Sequence, residues 1–220
     1  MSNGLPFDGN DNFWQAAVQI TAQRHRSARA AVLAPTIGVP EAPPPALTMS
    51  SLIIPERNVP EGVLIKSVSA AWLEIVPRLV SDWSLAYQLT PRQMEELVAG
   101  ALERDTEIKY DEVILTPRSG DFGRDVIAIK NGRMALKIIA SVKRDTPPNL
   151  VEYNEILSLI ALLNAGEINS SKGLITTTSD FPPRVNEHPS IKPYLPSRLQ
   201  LMNGEELQKW LAELAASSKP

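Results

Sequence analysis

The chain has 220 residues, 43% hydrophobic and 21% charged, with a formal net charge of -3; this gives one full core with residues to spare and excludes a globally basic nucleic-acid binder, though not a locally basic one. With no cysteine and two histidines, disulfides, thiolate or histidine-built zinc sites and a cysteine nucleophile are excluded. No apolar run approaches the ~20 residues that span a bilayer, and the opening segment lacks the basic start and apolar stretch of a signal peptide, so a cytoplasmic protein without a membrane partner is expected.

Residues 1–34 read as an N-terminal arm. Within it, 12–33 has partial amphipathic spacing (Phe13, Ala17, Ile20, Ala28), with Arg24, Arg26 and Arg29 on the remaining faces. Such a helix is either solvated, bound to a protein partner, or a phosphate-binding arm. Residues 35–63 are a proline-rich linker, with prolines concentrated over 35–60, where regular structure is not expected. Residues 64–88 form a lead-in, helical over 66–88, with Pro77 kinking it or starting a second helix. On this reading, deleting everything before Leu64 leaves the remainder folded.

The main domain is assigned to 89–220. Thr90 is an N-cap with Pro91 in the first turn, and Met94, Leu97, Val98, Ala101 and Leu102 share one helical face. Strands are expected over 112–115, 126–130 and 134–143. Asn131-Gly132 marks the turn that joins the last two as a hairpin. A helix over 150–163, strands over 173–178 and 199–202, and a helix over 205–214 complete the pattern. The order implies a mixed central sheet flanked by helices.

Chemistry concentrates around Arg118-Ser119-Gly120-Asp121-Phe122-Gly123-Arg124-Asp125. Asp125 sits at the mouth of an apolar strand. There a rigidly held carboxylate suits a hard divalent metal, and the same residue can simply cap a turn. In the next strand Ser141 and Lys143 face one way, because side chains alternate. Lys143 beside Asp125 can stabilise a developing phosphorane charge or orient a water, or its ammonium can reach solvent at a strand end. Between residues 117 and 145 seven cations face three anions, a local excess suited to a phosphate backbone.

Five ordered blocks carry a resemblance. Residues 89–98 (LTPRQMEELV) resemble the opening helix of Mrr-like restriction endonuclease catalytic domains, and 119–128 resemble their aspartate-glycine-glycine-x-aspartate strand. Residues 140–144 stand where those domains carry glutamate or glutamine, any residue, lysine and arginine, while 172–181 and 201–211 resemble their late strand, turn and final helix. The resemblance implies the PD-(D/E)XK nuclease superfamily: an α/β restriction-endonuclease-like fold with an α/β/α core and mixed central sheet, preceded here by the helical and proline-rich segment. It implies DNA phosphodiester hydrolysis with magnesium (Mg2+, or Mn2+), serving restriction of or defence against foreign or modified DNA. Carried over, Asp125 is the central metal ligand, Lys143 the catalytic lysine, and Glu95 the helix glutamate supporting the metal or its water. Asp121 matches the first aspartate of the turn and is read as structural. Arg118, Arg124, Arg144, Thr177 and Ser179 are candidate DNA contacts, and a homodimer is expected.

One position departs from the family pattern: Ser141 occupies the glutamate or glutamine position, and a neutral, short side chain supplies no negative charge to a cation. Ser141 can act through a water. A carboxylate can have moved to Glu152 or Glu155, which share one side of the next helix. Or the site has lost activity, leaving a catalytically degenerate nuclease fold that binds DNA or a partner protein. An RNA-directed nuclease is a further reading. The active reading requires Asp125, Lys143 and Glu95 to converge.

Overall fold

The computed structural model describes residues 49–117, 123–165 and 170–217. All of them belong to the compact unit Pro44–Pro220. The anticipated helix over 12–33, the linker up to residue 48, Arg118 and Asp121 lie outside the described residues.

A hairpin opens the described chain: β1 (Ile53–Val59) and β2 (Gly62–Val68). There follow α1 (Ala70–Ser81), a 3-10 turn (Trp83–Gln88) and α2 (Pro91–Glu103). Next come β3 (Glu112–Leu115), β4 (Val126–Lys130), β5 (Leu136–Lys143), α3 (Tyr153–Asn164), β6 (Lys172–Thr177), β7 (Leu199–Met202) and α4 (Gly204–Ser217). The strands form one seven-stranded sheet in sequential order. Pairs β1 to β5 are antiparallel, and β5–β6 and β6–β7 are parallel. Helix α3 is the crossover that parallel pairing requires.

Alternation along β5 divides the core. Ile138 and Ala140 join the layer built on Trp72, Ile75, Leu97 and Leu207 from α1, α2 and α4. Ile139 joins the layer built on Ile156, Leu159 and Leu163 from α3. The same period of two sends Ser141 and Lys143 to the α3 side.

The proline-rich stretch ends earlier than its composition suggests. Residues 53–59, assigned to an irregular linker, form an edge strand, and residues 66–68, assigned to a helix, complete its partner. Pro55 is tolerated because β1 lies at the sheet edge and its register shifts on both sides of that residue, so no regular ladder bond is lost. Ile53 is buried at 6% exposure and Leu52 at 0%. The Glu96 carboxylate accepts the Leu52 amide at 2.7 Å and the Ser51 hydroxyl at 3.1 Å, tying this entry to α2. Gly62 is obligatory: at φ +150°, a Cβ there would lie 2.3 Å from the Leu115 carbonyl oxygen.

Helix α1 runs through Pro77 and stops at Asp82, not at the proline. The acceptor that Pro77 cannot reach belongs to Leu73, which is 47% exposed, so water can satisfy it. Asp82 then caps the 3-10 turn by accepting the Ser84 amide at 3.0 Å. Thr90 caps α2 reciprocally with Gln93. Between β4 and β5 the Asn131-Gly132 turn belongs to a longer connection over 131–135, with Gly132 at φ 110°. Among the described residues no helix is long and apolar enough to cross a membrane.

Candidate active site

Asp125 precedes β4 and is locked onto β5 on either side of Ser141. Its amide donates to the Ala140 carbonyl at 2.8 Å. Its carboxylate Oδ2 accepts the Val142 amide at 2.6 Å. From the other flank, the Thr116 amide and hydroxyl donate to the Asp125 carbonyl at 3.1 and 3.0 Å, and the hydroxyl also reaches the Arg124 carbonyl. Thr116 is 1% exposed. The carboxylate therefore projects from backbone fixed by both neighbouring strands, which limits the rearrangement needed to bind a ligand.

Ser141 is 4% exposed. Two residues on, Lys143 Nζ pairs with Glu155 Oε1 at 2.8 Å. Glu155 lies in the first turn of α3, where its Oε2 also accepts the Glu152 amide at 3.3 Å. Glu152 itself is exposed. Of the two glutamates weighed as displaced carboxylates, Glu155 reaches over the sheet and Glu152 stays in solvent. Both members of the Lys143–Glu155 pair are partly exposed, so water weakens their mutual attraction and leaves either free to take another partner.

Glu95 reaches the same end of the sheet indirectly. Arg92 Nη1 lies 2.8 Å from Glu95 Oε2 and donates to the Thr116 carbonyl at 2.9 Å. A continuous chain thus runs Glu95, Arg92, Thr116, Asp125. The Glu95 carboxylate is paired with Arg92, and that guanidinium is its link to Thr116. Arg92 and Thr116 were not singled out from the sequence. The first is visible there only as a helical neighbour of Glu95, and the second has no distinguishing pattern.

The remaining candidates separate. Arg124 sits beside Asp125, and Arg144 is exposed and donates to the Tyr87 carbonyl at 3.0 Å. Thr177 and Ser179, read as phosphate contacts, are 0% and 8% exposed. Thr177 donates to Asp145 Oδ2 at 3.3 Å and accepts the Ser179 amide at 3.1 Å. Ser179 donates to the Asn149 carbonyl at 2.5 Å. Their hydroxyls serve internal partners and brace the loop after β5. Among the described residues no group of three or more His, Cys, Asp or Glu side chains forms a ready-made metal cluster.

An aspartate at the mouth of one central strand, a serine and lysine on one face at the end of its neighbour, and a helix-borne glutamate paired with that lysine stand at one end of a mixed α/β sheet. The family model described as restriction endonuclease (the Mrr catalytic-domain model) matches residues 86–211, and the chain belongs to that family, with the restriction-endonuclease-like fold that it implies. Among solved structures, the chain is similar to the MspJI restriction endonuclease in complex with a 27-mer oligonucleotide, at 19% identity and TM-score 0.42, over 67% of this chain and 34% of that one. It is also similar to the DNA modification-dependent restriction endonuclease AspBHI, at 16% identity and TM-score 0.39, over 80% of this chain and 45% of that one. The chain thus spans less than half the length of either. No curated protein matches.

Proposed function

We propose that the protein is a magnesium- or manganese-dependent endonuclease that hydrolyses DNA phosphodiester bonds in restriction of foreign or modified DNA. Family membership supports the reaction class. The observation that carries the metal-dependent form is Glu155, whose carboxylate lies 2.8 Å from Lys143 Nζ on the sheet face that also bears Ser141. It supplies the negative charge that serine at 141 lacks.

The residues fit a hard divalent cation. Magnesium is commonly bound through one or two carboxylates, completed by waters and substrate phosphate, and Asp125 and Glu155 are two such groups on adjoining elements. Bound there, the ion would acidify a water and polarise the phosphoryl oxygens. Asp125, fixed by Thr116 and Val142, presents its carboxylate without reorganisation. Lys143 leaves Glu155 to face the scissile phosphate and offsets the charge that builds on its oxygens. Arg124 and Arg144 draw the phosphate backbone to this end of the sheet. Glu95 holds Arg92 against Thr116, and thereby the Asp125 backbone. One such site cuts one strand, so a double-strand break takes two copies, consistent with a homodimer.

Supercoiled plasmid incubated with the purified chain should be nicked or linearised with magnesium or manganese and left intact with EDTA. Lys143→Ala should leave it intact in both. DNA binding without cutting in any metal would instead support the degenerate binding module that Ser141 suggests.

A further inference from the structure

Beyond the cleavage centre, the loop after β5 walls a cavity of about 350 Å³ whose construction the nuclease chemistry does not require. Trp83 and Tyr87 from the 3-10 turn line it together with Pro147, Pro148 and Leu150. The cavity adjoins the end of β5: the amide of Thr178, one of its lining residues, donates to the Lys143 carbonyl at 3.1 Å. Arg144, the next residue, binds the Tyr87 carbonyl.

These walls are held rigidly. The Trp83 indole donates to the Thr178 carbonyl at 3.1 Å, which fixes the plane of its ring. Thr178 Oγ1 donates to the Asp145 carbonyl at 2.5 Å, and Ser179 Oγ to that of Asn149 at 2.5 Å. The Val151 amide closes the loop onto the Asp180 carbonyl at 3.1 Å. Yet the faces so braced stay open: Leu150 is 41% exposed, and Pro147 and Pro148 are exposed. Polar groups stand at one edge. The Asp180 carboxylate accepts both the Phe181 amide, at 2.8 Å, and Asn203 Nδ2, at 3.3 Å, on Oδ1.

We infer that this cavity is a nucleobase subsite, which takes an unstacked base of the DNA strand lying across Lys143. The inference rests on the nuclease reading above. A lining that holds two aromatic rings and two prolines offers flat apolar faces for a base to stack on. The exposed Arg144 guanidinium, bonded to the carbonyl of the lining residue Tyr87, suits the attached phosphate. A carboxylate oxygen left open at the edge accepts from an exocyclic amine, so Asp180 favours cytosine over thymine, which has no amine. An unpaired base enters most readily because it has less stacking and pairing to give up.

The test measures binding of the full chain by fluorescence anisotropy in EDTA, so that no strand is cut. Three duplexes are compared: fully paired, with one unpaired cytosine, and with one unpaired thymine. The wild type should prefer the unpaired-cytosine duplex to the paired one by about tenfold. Tyr87→Ala should abolish that preference and Tyr87→Phe retain it. Leu150→Ser, at an exposed position, should weaken it without unfolding the chain. Asp180→Asn should erase the cytosine-over-thymine discrimination alone. Absence of the preference in the wild type, or its survival in Tyr87→Ala, overturns the subsite. If plasmid is still nicked in the presence of magnesium, only the subsite falls. If the wild type neither binds nor nicks DNA, the nuclease reading falls with it.

Discussion

Lys143 and Glu155 meet at 2.8 Å although they belong to different elements, the end of β5 and the first turn of α3. The pair joins the group that would face phosphate to the carboxylate that would face the cation, so each is the other's partner until substrate and metal arrive.

Glu155→Gln should therefore reduce plasmid nicking by on the order of 100-fold, the usual cost of removing one charge-stabilising group from a reacting centre. Glu152→Gln should leave the rate unchanged, since its side chain stands in solvent. Initial nicking rates in magnesium decide the matter, and equal losses in the two variants would remove Glu155 from the site.

Placing the carboxylate back on the strand gives a complementary test. Ser141→Glu, made in the Glu155→Gln background, puts a carboxylate between the Asp125 clamp and Lys143. Metal-dependent nicking should return, with its magnesium requirement read from a titration. If activity stays absent while the thermal melt shows a folded protein, the two positions are not interchangeable.

The sequence displayed most of this architecture because its central elements are strongly patterned. The apolar, β-branched stretches of β4, β5 and β6 and the Thr90-Pro91 start of α2 need no tertiary information to recognise. The edge hairpin was hidden because Pro55 and the surrounding prolines point to a linker, and only burial of Leu52 and Ile53 against α2 overrides them. The site divided in a similar way. The shared face of Ser141 and Lys143 follows from strand alternation, and Asp125 from its place at the mouth of an apolar strand and the family resemblance, whereas the choice between Glu152 and Glu155 depends on how α3 meets the end of β5. The burial of Thr177 and Ser179 was equally invisible, since a hydroxyl after a strand reads the same whether it faces phosphate or a neighbouring loop.

Glu96 gives a stability test of the revised domain start. Its carboxylate receives the Leu52 amide at 2.7 Å, and its side chain is 12% exposed. Glu96→Ala should destabilise the domain by about 1–3 kcal/mol, the range for a charge-assisted bond whose loss strands a buried amide. Urea denaturation measures this. Removing residues 49–63 should cost more, because β2 then loses its antiparallel partner and becomes an open edge.

Glu103, at the end of α2, supplies a pH test. Burial pushes its carboxyl above the ordinary range, and Arg104 only partly offsets the effect. A raised folded-state value means that the native protein prefers the neutral acid. Its relative contribution is fully present below the unfolded value and is lost as pH rises through the folded one. Glu103→Gln should thus raise the melting temperature at pH 7 by no more than about 2 °C, given partial exposure. The gain should vanish in acid, and a gain that persists there would point to packing instead of charge.

Strand β5 pairs antiparallel with β4 on one side and parallel with β6 on the other, the one such junction among the described strands. The β3–β4–β5 meander joins neighbouring stretches of chain, whereas the β5–β6 pairing waits for α3 to cross, and the β2–β3 pairing for α1 and α2. Asp125 and Lys143 belong to that meander and its end, and Glu155 arrives only with α3. On the proposed reading, a chain made only as far as β5 therefore holds Asp125 and Lys143 without the Glu155 carboxylate, and its candidate site stays incomplete until α3 has been made.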